Sequence, residues 1–338
     1  MFEPTLDFFQ RALGSSFNGF RLEFIKAGVE PSRVDRVILE SAAGQSHPDT
    51  VILKRIAPDW PHDPLAGDRE RRFYTELLPR LDAPHPRLYH AVVDPDTGYR
   101  VLLMEDLAAD YAFRDRTHIW TADEVRPMLR TYARLHAHGP AALPDDRSWL
   151  LPRHESTWRA DEVRRMIHGL VGATAMSPLH VDRFDQLVDR VQAGMDRFAC
   201  EPPTLLHNDV YPPNVALPHA LEGGDAMLID WAMAGWGLAE MDLTYLFMQP
   251  FRSACALDRL ETLRYYWQQR ELIEGRDYPL EERLAVQAHA DALMAVWFVP
   301  VAHRVWTTHQ ASGQPLVPYW EAMFGVLKDR WIELCGGI

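Results

Sequence analysis

Apolar and polar positions repeat with two different periods along the chain, and the change from one to the other divides it. Residues 5–13 carry apolar positions at helical spacing and predict a short amphipathic helix. Strand-like runs follow at Phe20–Ile25, Val34–Glu40 and Thr50–Ile56, separated by clusters of Gly, Pro, Asp and Ser. Pro58–Gly67, with its closely spaced prolines, reads as a loop. Helical spacing returns over Asp68–Leu78, where Glu70, Phe73, Tyr74 and Leu77 share one face. Two further strands, Leu88–Val93 and Tyr99–Met104, flank Asp94-Pro95-Asp96-Thr97-Gly98, a good turn sequence. The first part is therefore a small, mostly antiparallel sheet with one prominent helix.

After Met104-Glu105-Asp106-Leu107 the pattern becomes one of long helices. Thr121, with Glu124 three residues on, forms a capping box for a helix running to His138 and closed by Gly139-Pro140, with Pro127 expected to bend it or limit its first turns. Further helical patterns cover residues 155–171, 180–198, 238–248, 256–274, 280–299 and 316–334. Between them lies one strand-rich island, Thr204–His207, Val215–Leu217 and Met227–Ile229, whose last two strands are joined by Glu222-Gly223-Gly224-Asp225. No internal repeat or low-complexity segment interrupts this order.

Composition narrows the class. A chain of 338 residues that is 47% hydrophobic, with 11 Trp, 11 Tyr and 14 Phe, can build two cores and gives no sign of long disorder. The formal charge of −13, from 35 basic against 48 acidic residues and without a basic block, argues against nucleic-acid or anionic-membrane partners. Cys200, Cys255 and Cys335 are dispersed and odd in number, which fits neither a disulfide framework nor a zinc site and suggests a reducing compartment. The N-terminus lacks the order of a signal peptide, and the apolar run Ala292–Ala302 is too short to span a bilayer and contains a proline. The expected location is the cytoplasm.

The island carries the chemistry. Leu205-Leu206-His207-Asn208-Asp209-Val210-Tyr211-Pro212-Pro213-Asn214 reads as His-x-Asp-x-x-x-x-Asn, and Leu228-Ile229-Asp230-Trp231 follows a hairpin. Phosphoryl transfer to a hydroxyl needs a carboxylate to orient or deprotonate the acceptor, with an amide oxygen and a second carboxylate to hold Mg²⁺ on the phosphates. Asp209 is the candidate base. Asn214 and Asp230 are the candidate metal ligands, being the oxygen donors a hard cation prefers. His207 is expected to brace the loop and not to carry a proton.

These residues resemble the aminoglycoside phosphotransferase and choline kinase group, which includes ecdysteroid-kinase-like proteins. Leu135-His136-Ala137, ending a helix, and Gly237-Leu238-Ala239-Glu240-Met241-Asp242-Leu243 are similar to segments of that group, so the matches run from about residue 37 to 247. The resemblance implies an α+β, bilobal protein-kinase-like fold. Its division here would be residues 1–104 for a nucleotide-binding lobe, 105–107 for a hinge and 108–338 for a helical lobe. It implies ATP and Mg²⁺ as cofactors and a small-molecule hydroxyl acceptor, with Asp242 supporting the catalytic loop. It also implies a lysine on the third strand paired with a glutamate on the next helix: Lys54 with Glu70, or with Glu76 as the alternative. Met104, Glu105 and Leu107 resemble the hinge, where backbone groups of Glu105 and Leu107 would bond adenine.

Two features depart from the pattern. No Gly-x-Gly-x-x-Gly lies between the first two strands; the phosphate loop falls at Lys26–Arg33, where Ser32 or Arg33 would offer contacts, or at Ala42–His47. Ala232 follows Trp231 where a protein kinase has glycine, which points to small molecules over protein substrates. On the acceptor side, Trp231, Trp236, Trp297 and Trp306 would cage an ammonium group or simply pack, whereas Arg304, beside His303, suggests an acidic acceptor. The expected activity is direct transfer of the γ-phosphate of ATP to a small-molecule hydroxyl, the rival being a catalytically inactive nucleotide-binding module. The acceptor and the oligomeric state stay open.

Overall fold

A computed structural model describes residues 2–27, 32–41, 48–58, 63–152, 160–170, 178–198, 201–248, 258–313, 315–316 and 318–336. The chain begins with α1 (Leu6–Leu13), capped by Thr5, whose Oγ1 accepts the Phe8 N–H at 3.2 Å, and closed by Gly14 at φ 64°. Five strands form one antiparallel sheet: β1 (Phe17–Ala27), β2 (Ser32–Ser41), β3 (Thr50–Ile56), β4 (Leu88–Val93) and β5 (Arg100–Glu105), in the order β1-β2-β3-β5-β4. The first two strands are longer than their apolar runs, because ladder pairing continues through polar residues at their ends.

Register assigns each residue of this sheet a face. Val37, Leu39, Val51, Leu53, Val101 and Leu103 pack with Phe9 of α1 in an outer core. Alternation then turns Lys54 and Ile56 of β3, with Leu102 and Met104 of β5, to the other side. There Ile56, Leu102 and Met104 meet Phe73, Tyr74 and Leu77 in a core that continues into the C-terminal region. The helix bearing those aromatics is α2 (Ala66–Arg72), which opens two residues before the expected start. It widens to a π turn over Phe73–Leu77 and ends in a 3₁₀ turn at Leu78–Arg80 containing Pro79.

The C-terminal region is helical, as its periodicity indicates. It comprises α3 (Ala122–Ala137), α4 (Ala160–Gly169), α5 (Pro178–Phe198), α6 (Glu240–Phe247), α7 (Arg259–Glu274), α8 (Leu280–Ser312) and α9 (Pro318–Gly336). The capping box on α3 is present in both directions, and Pro127 sits inside the helix without ending it. The helix expected to stop at residue 299 instead runs 33 residues, through Pro300 to Ser312. That corrects the reading of Ala292–Ala302 as too short to span a bilayer: α8 is long and apolar enough by length and composition. Yet 67% of its apolar window is buried, with Val286, Ala290, Leu293, Met294 and Val299 at the centre of a second core.

The strand island becomes two three-stranded sheets. One is β6 (Tyr111–Ala112), β9 (Val215–Pro218) and β10 (Met227–Leu228); the other is β7 (Leu151–Pro152), β8 (Thr204–Leu206) and β11 (Gly235–Gly237). The strands β6, β7 and β11 escape sequence reading because two or three residues carry no measurable period. The sheets hold the ends of the segments 207–214 and 229–234, which meet the face of the N-terminal sheet that carries Lys54.

Candidate functional site

A cleft of about 260 Å³ lies between the two regions. Val34, Arg36, Ile52, Lys54, Met104 and Leu107 line it from the sheet and the connecting segment, with Glu70 from α2 and Ile229 and Asp230 from below. Lys54 Nζ donates to both oxygens of Glu70, at 2.8 and 2.7 Å, and to Asp230 Oδ1 at 2.8 Å. Burial opposes the ammonium, but the charges of Asp230 and Glu70 outweigh it and hold Lys54 above its ordinary pKa. Glu76, the alternative partner, is instead paired with Arg72 at 2.9 Å on the exposed side of the helix.

At the connecting segment the Glu105 N–H donates to the Arg87 carbonyl at 2.8 Å. Arg36 reaches from β2 to Asp106 at 2.6 Å and closes this end of the cleft. Arg33 is two-fold bonded to Asp35, which also binds Arg55. Strand register puts Arg33 on the opposite face from Val34 and Arg36, and this corrects its reading as a phosphate contact. Of the two phosphate-loop candidates, Lys26–Arg33 and Ala42–His47, residues 28–31 and 42–47 lie outside the described residues, as do Cys200 and Cys255.

The loop carrying Asp209 is fixed from beneath. Asp242, in the first turn of α6, accepts the backbone N–H groups of His207 at 2.8 Å and Asn208 at 2.7 Å, and the His136 ring at 3.2 Å. Asn208 can then hold φ at 61°, an unfavourable left-handed conformation for a residue with a side chain. Gly235 passes so close that a Cβ there would collide with the Leu151 carbonyl and the Asn208 amide. Burial lowers the His207 pKa, so the ring is neutral. Its Nε2–H donates to the Ile229 carbonyl at 3.0 Å, leaving Nδ1 to accept the Asp209 N–H at 3.3 Å.

Asp209 is presented by this frame. Tyr245 donates its hydroxyl to Oδ1 at 2.9 Å, and the Asn214 amide donates to Oδ2 at 3.0 Å. Burial, with the nearby charge of Asp230, pushes the Asp209 carboxyl up to about 7. With its amide nitrogen so engaged, Asn214 leaves Oδ1 buried and without a partner. A buried orphan oxygen, on a residue whose backbone carbonyl accepts the N–H of Ile229 just before Asp230, fits an oxygen-seeking cation such as Mg²⁺. Among the described residues no three His, Cys, Asp or Glu side chains could hold a metal together, so phosphate and water oxygens would complete such a site.

The reading of Trp231 as an acceptor residue needs correction. Trp231 is 2% exposed and stacks on Phe73 at 3.9 Å with an interplanar angle of 10°, so it is core between α2 and the Asp230 turn and no wall of an acceptor site. Trp297 packs edge-on to Phe298 at 5.1 Å, and Phe298 in turn meets Tyr245 at 6.3 Å. The ring of His303 lies against Gly169 of α4, and Arg304 is exposed. Trp306 belongs to the second core with Phe324, and Trp236 lies under the Arg147 guanidinium.

Sequence reading passed over Tyr245, although it lies one helical turn beyond Asp242 on the same face, which is the signal that would have found it. It also passed over Arg116, whose guanidinium lies 5.3 Å from the Tyr211 ring centre and whose charge slightly offsets the rise of the Asp209 pKa. No linear pattern marks that residue.

The sequence matches the model of a phosphotransferase enzyme family over residues 22–283. A search of curated proteins finds no significant match. Among solved structures, a provisional aminoglycoside phosphotransferase from Ralstonia eutropha JMP134 aligns with TM-score 0.59 at 15% identity, covering 97% of each chain. A microcompartment-associated aminopropanol kinase aligns with TM-score 0.55 at 14% identity, covering 98% of this chain and 97% of its own. A thermostable mutant of aminoglycoside phosphotransferase APH(4)-Ia, in a ternary complex with ADP and hygromycin B, gives 0.52 at 15%, with 98% and 97% covered. At such identities the likeness establishes the fold.

Proposed function

The chain belongs to this phosphotransferase enzyme family, and from that premise we propose that it moves the γ-phosphate of Mg-ATP directly to a hydroxyl of a small molecule in the cytoplasm. What supports this reading is that Lys54, Glu70 and Asp230 line one cleft and are joined by hydrogen bonds, while Asp209, bonded to Asn214, feels the charge of Asp230, although these residues come from separate parts of the sequence. Lys54, held by Glu70, would bind the α- and β-phosphates. The carbonyl of Glu105 and the N–H of Leu107 would receive adenine between Ile52, Met104 and Ile229, with residues 1–104 forming the nucleotide lobe and 105–107 its hinge. Asn214 Oδ1 and Asp230 would hold Mg²⁺, which would neutralise charge on the transferring group.

Asp209 would act on the acceptor. A carboxyl near pH 7 in affinity is matched to taking a hydroxyl proton at neutral pH. Tyr245 and Asn214 bond one oxygen each, which fixes the plane of the carboxylate. The inactive-module rival is disfavoured because each of these polar groups is present and already oriented.

The test is ATP turnover measured alone and with a panel of amino alcohols, aminoglycosides and sugars. An acceptor that accelerates turnover, with Asp209→Ala lowering it by roughly a hundredfold or more, is the expected result. Nucleotide binding with no turnover across the panel would favour the inactive module. Full turnover in Asp209→Ala would remove the carboxylate from its role.

A further inference from the structure

Arg69, beside Glu70 on α2, is 2% exposed and points away from the N-terminal sheet. Its Nε donates to the Trp149 carbonyl at 2.7 Å and its Nη1 to the Ala232 carbonyl at 2.7 Å, while Asp63 pairs with it at 2.7 Å. One turn further along α2, Phe73 stacks on Trp231. Arg69 and Phe73 therefore grip the turn Trp231–Met233 from the same face of the helix.

That turn follows Asp230, which sits at φ 68° in the left-handed region. A side-chain-bearing residue keeps this conformation only where its surroundings fix it. Among the described residues, three side chains from outside the segment donate to the carbonyls around it: His207 on Ile229, Arg69 on Ala232 and Asn208 on Met233 at 3.1 Å. Of these three, Arg69 comes from the N-terminal region. It thus touches the segment that sets Asp230 and is the chain neighbour of Glu70, the partner of Lys54.

We propose that Arg69 is a positioning residue that clamps α2 to the turn after Asp230, fixing Glu70 relative to Asp230 whether or not nucleotide is bound. In this arrangement α2 belongs mechanically to the C-terminal region. Flexing of the connecting segment moves the sheet, and Lys54 with it, over a stationary Glu70–Asp230 pair. Glutamate-bearing α2 is then no switch. A guanidinium suits the task because its planar fork reaches two carbonyls and a carboxylate at once, whereas an ammonium would have to serve all three from one nitrogen.

The nucleotide part of this inference rests on the phosphotransferase reading; the clamp itself does not. Hydrogen exchange of the nucleotide-free protein therefore comes first. Arg69→Met should speed exchange over residues 66–77 and 231–234 by about tenfold, with strands 34–39 and 51–56 within about twofold of wild type. Unchanged protection of 66–77 would overturn the clamp. Calorimetry with Mg-AMP-PNP comes second: Arg69→Met should weaken binding by about tenfold. If Arg69 acts through Glu70, Arg69→Met with Glu70→Gln should bind within about twofold of Glu70→Gln alone. Losses that multiply would show an independent, merely structural effect. Wild-type protein that binds no Mg-AMP-PNP would sink the reading of the cleft, while the exchange result still decides the clamp. Arg69→Lys, which keeps the charge and one donor, carries the same comparison where the methionine variant does not fold, with faster exchange at 231–234 expected there also.

Discussion

Asp242→Asn removes a single charge and leaves the side-chain shape intact, which makes it a sharp probe of how the loop carrying Asp209 is held. Asp242 is fully buried, and its two oxygens accept three donors: Oδ2 from the His207 N–H and the His136 ring, Oδ1 from the Asn208 N–H. An asparagine can place its carbonyl oxygen at one of those two positions only. In the better rotamer the oxygen replaces Oδ2 and the new NH₂ group faces the Asn208 N–H, donor against donor. Orphaning that buried N–H costs about 1–3 kcal/mol, and losing charge assistance on the two surviving bonds costs about 1 kcal/mol each. The sum is about 3–5 kcal/mol, a large share of the stability of an ordinary domain. Urea unfolding followed by far-ultraviolet circular dichroism, extrapolated linearly to water, measures it. Activity should fall with stability, because the left-handed Asn208 that loses its anchor immediately precedes Asp209. A variant within about 1 kcal/mol of wild type and fully active would refute the claim that Asp242 sets this loop.

Phe73→Ala should cost about 3–5 kcal/mol by the same measurement, since it empties a fully buried site and unstacks Trp231; a loss under about 1 kcal/mol would mean the helix is held by other contacts. Glu124 gives a pH-dependent term. Burial opposes its charge, but the His118 ring, the Arg114 guanidinium and the Thr121 N–H together hold its carboxyl at about 2, against an ordinary value of 4.5. The native state therefore binds fewer protons than the unfolded chain between those values, and the stabilisation is present above about pH 4.5 and lost as pH falls through about 2. The stability gap between wild type and Glu124→Gln should narrow steadily on acidification below about pH 4.5, and a gap constant with pH would contradict the assignment.

The fold class was legible because each region advertises itself locally. Period-two runs broken by turn residues mark the sheet, and period-3.6 runs with caps mark the helices. Errors fell where local signals are weak or misleading. The strands β6, β7 and β11 are too short to show a period, and Pro300 suggests a break that packing on both sides of α8 overrides. The candidate site was legible in kind. Side chains at fixed spacing on one loop, Asp209 and Asn214, can be matched to a chemistry before their geometry is known. Its surroundings were not. Trp231 reads as core more readily than as cage, and only Phe73 stacked against it decides the matter.

What the sequence determined alone, then, was the set of local elements and the residue types that a phosphoryl-transfer site requires, all properties of short segments. What only tertiary structure decided was which distant groups complete one another. Lys54 meets Asp230 across 176 residues, Arg69 meets Ala232 across 163, and His136 meets Asp242 across 106. Such pairings depend on how whole elements pack and which face each turns inward, and these follow from burial and register across the fold, not from any neighbourhood in the chain.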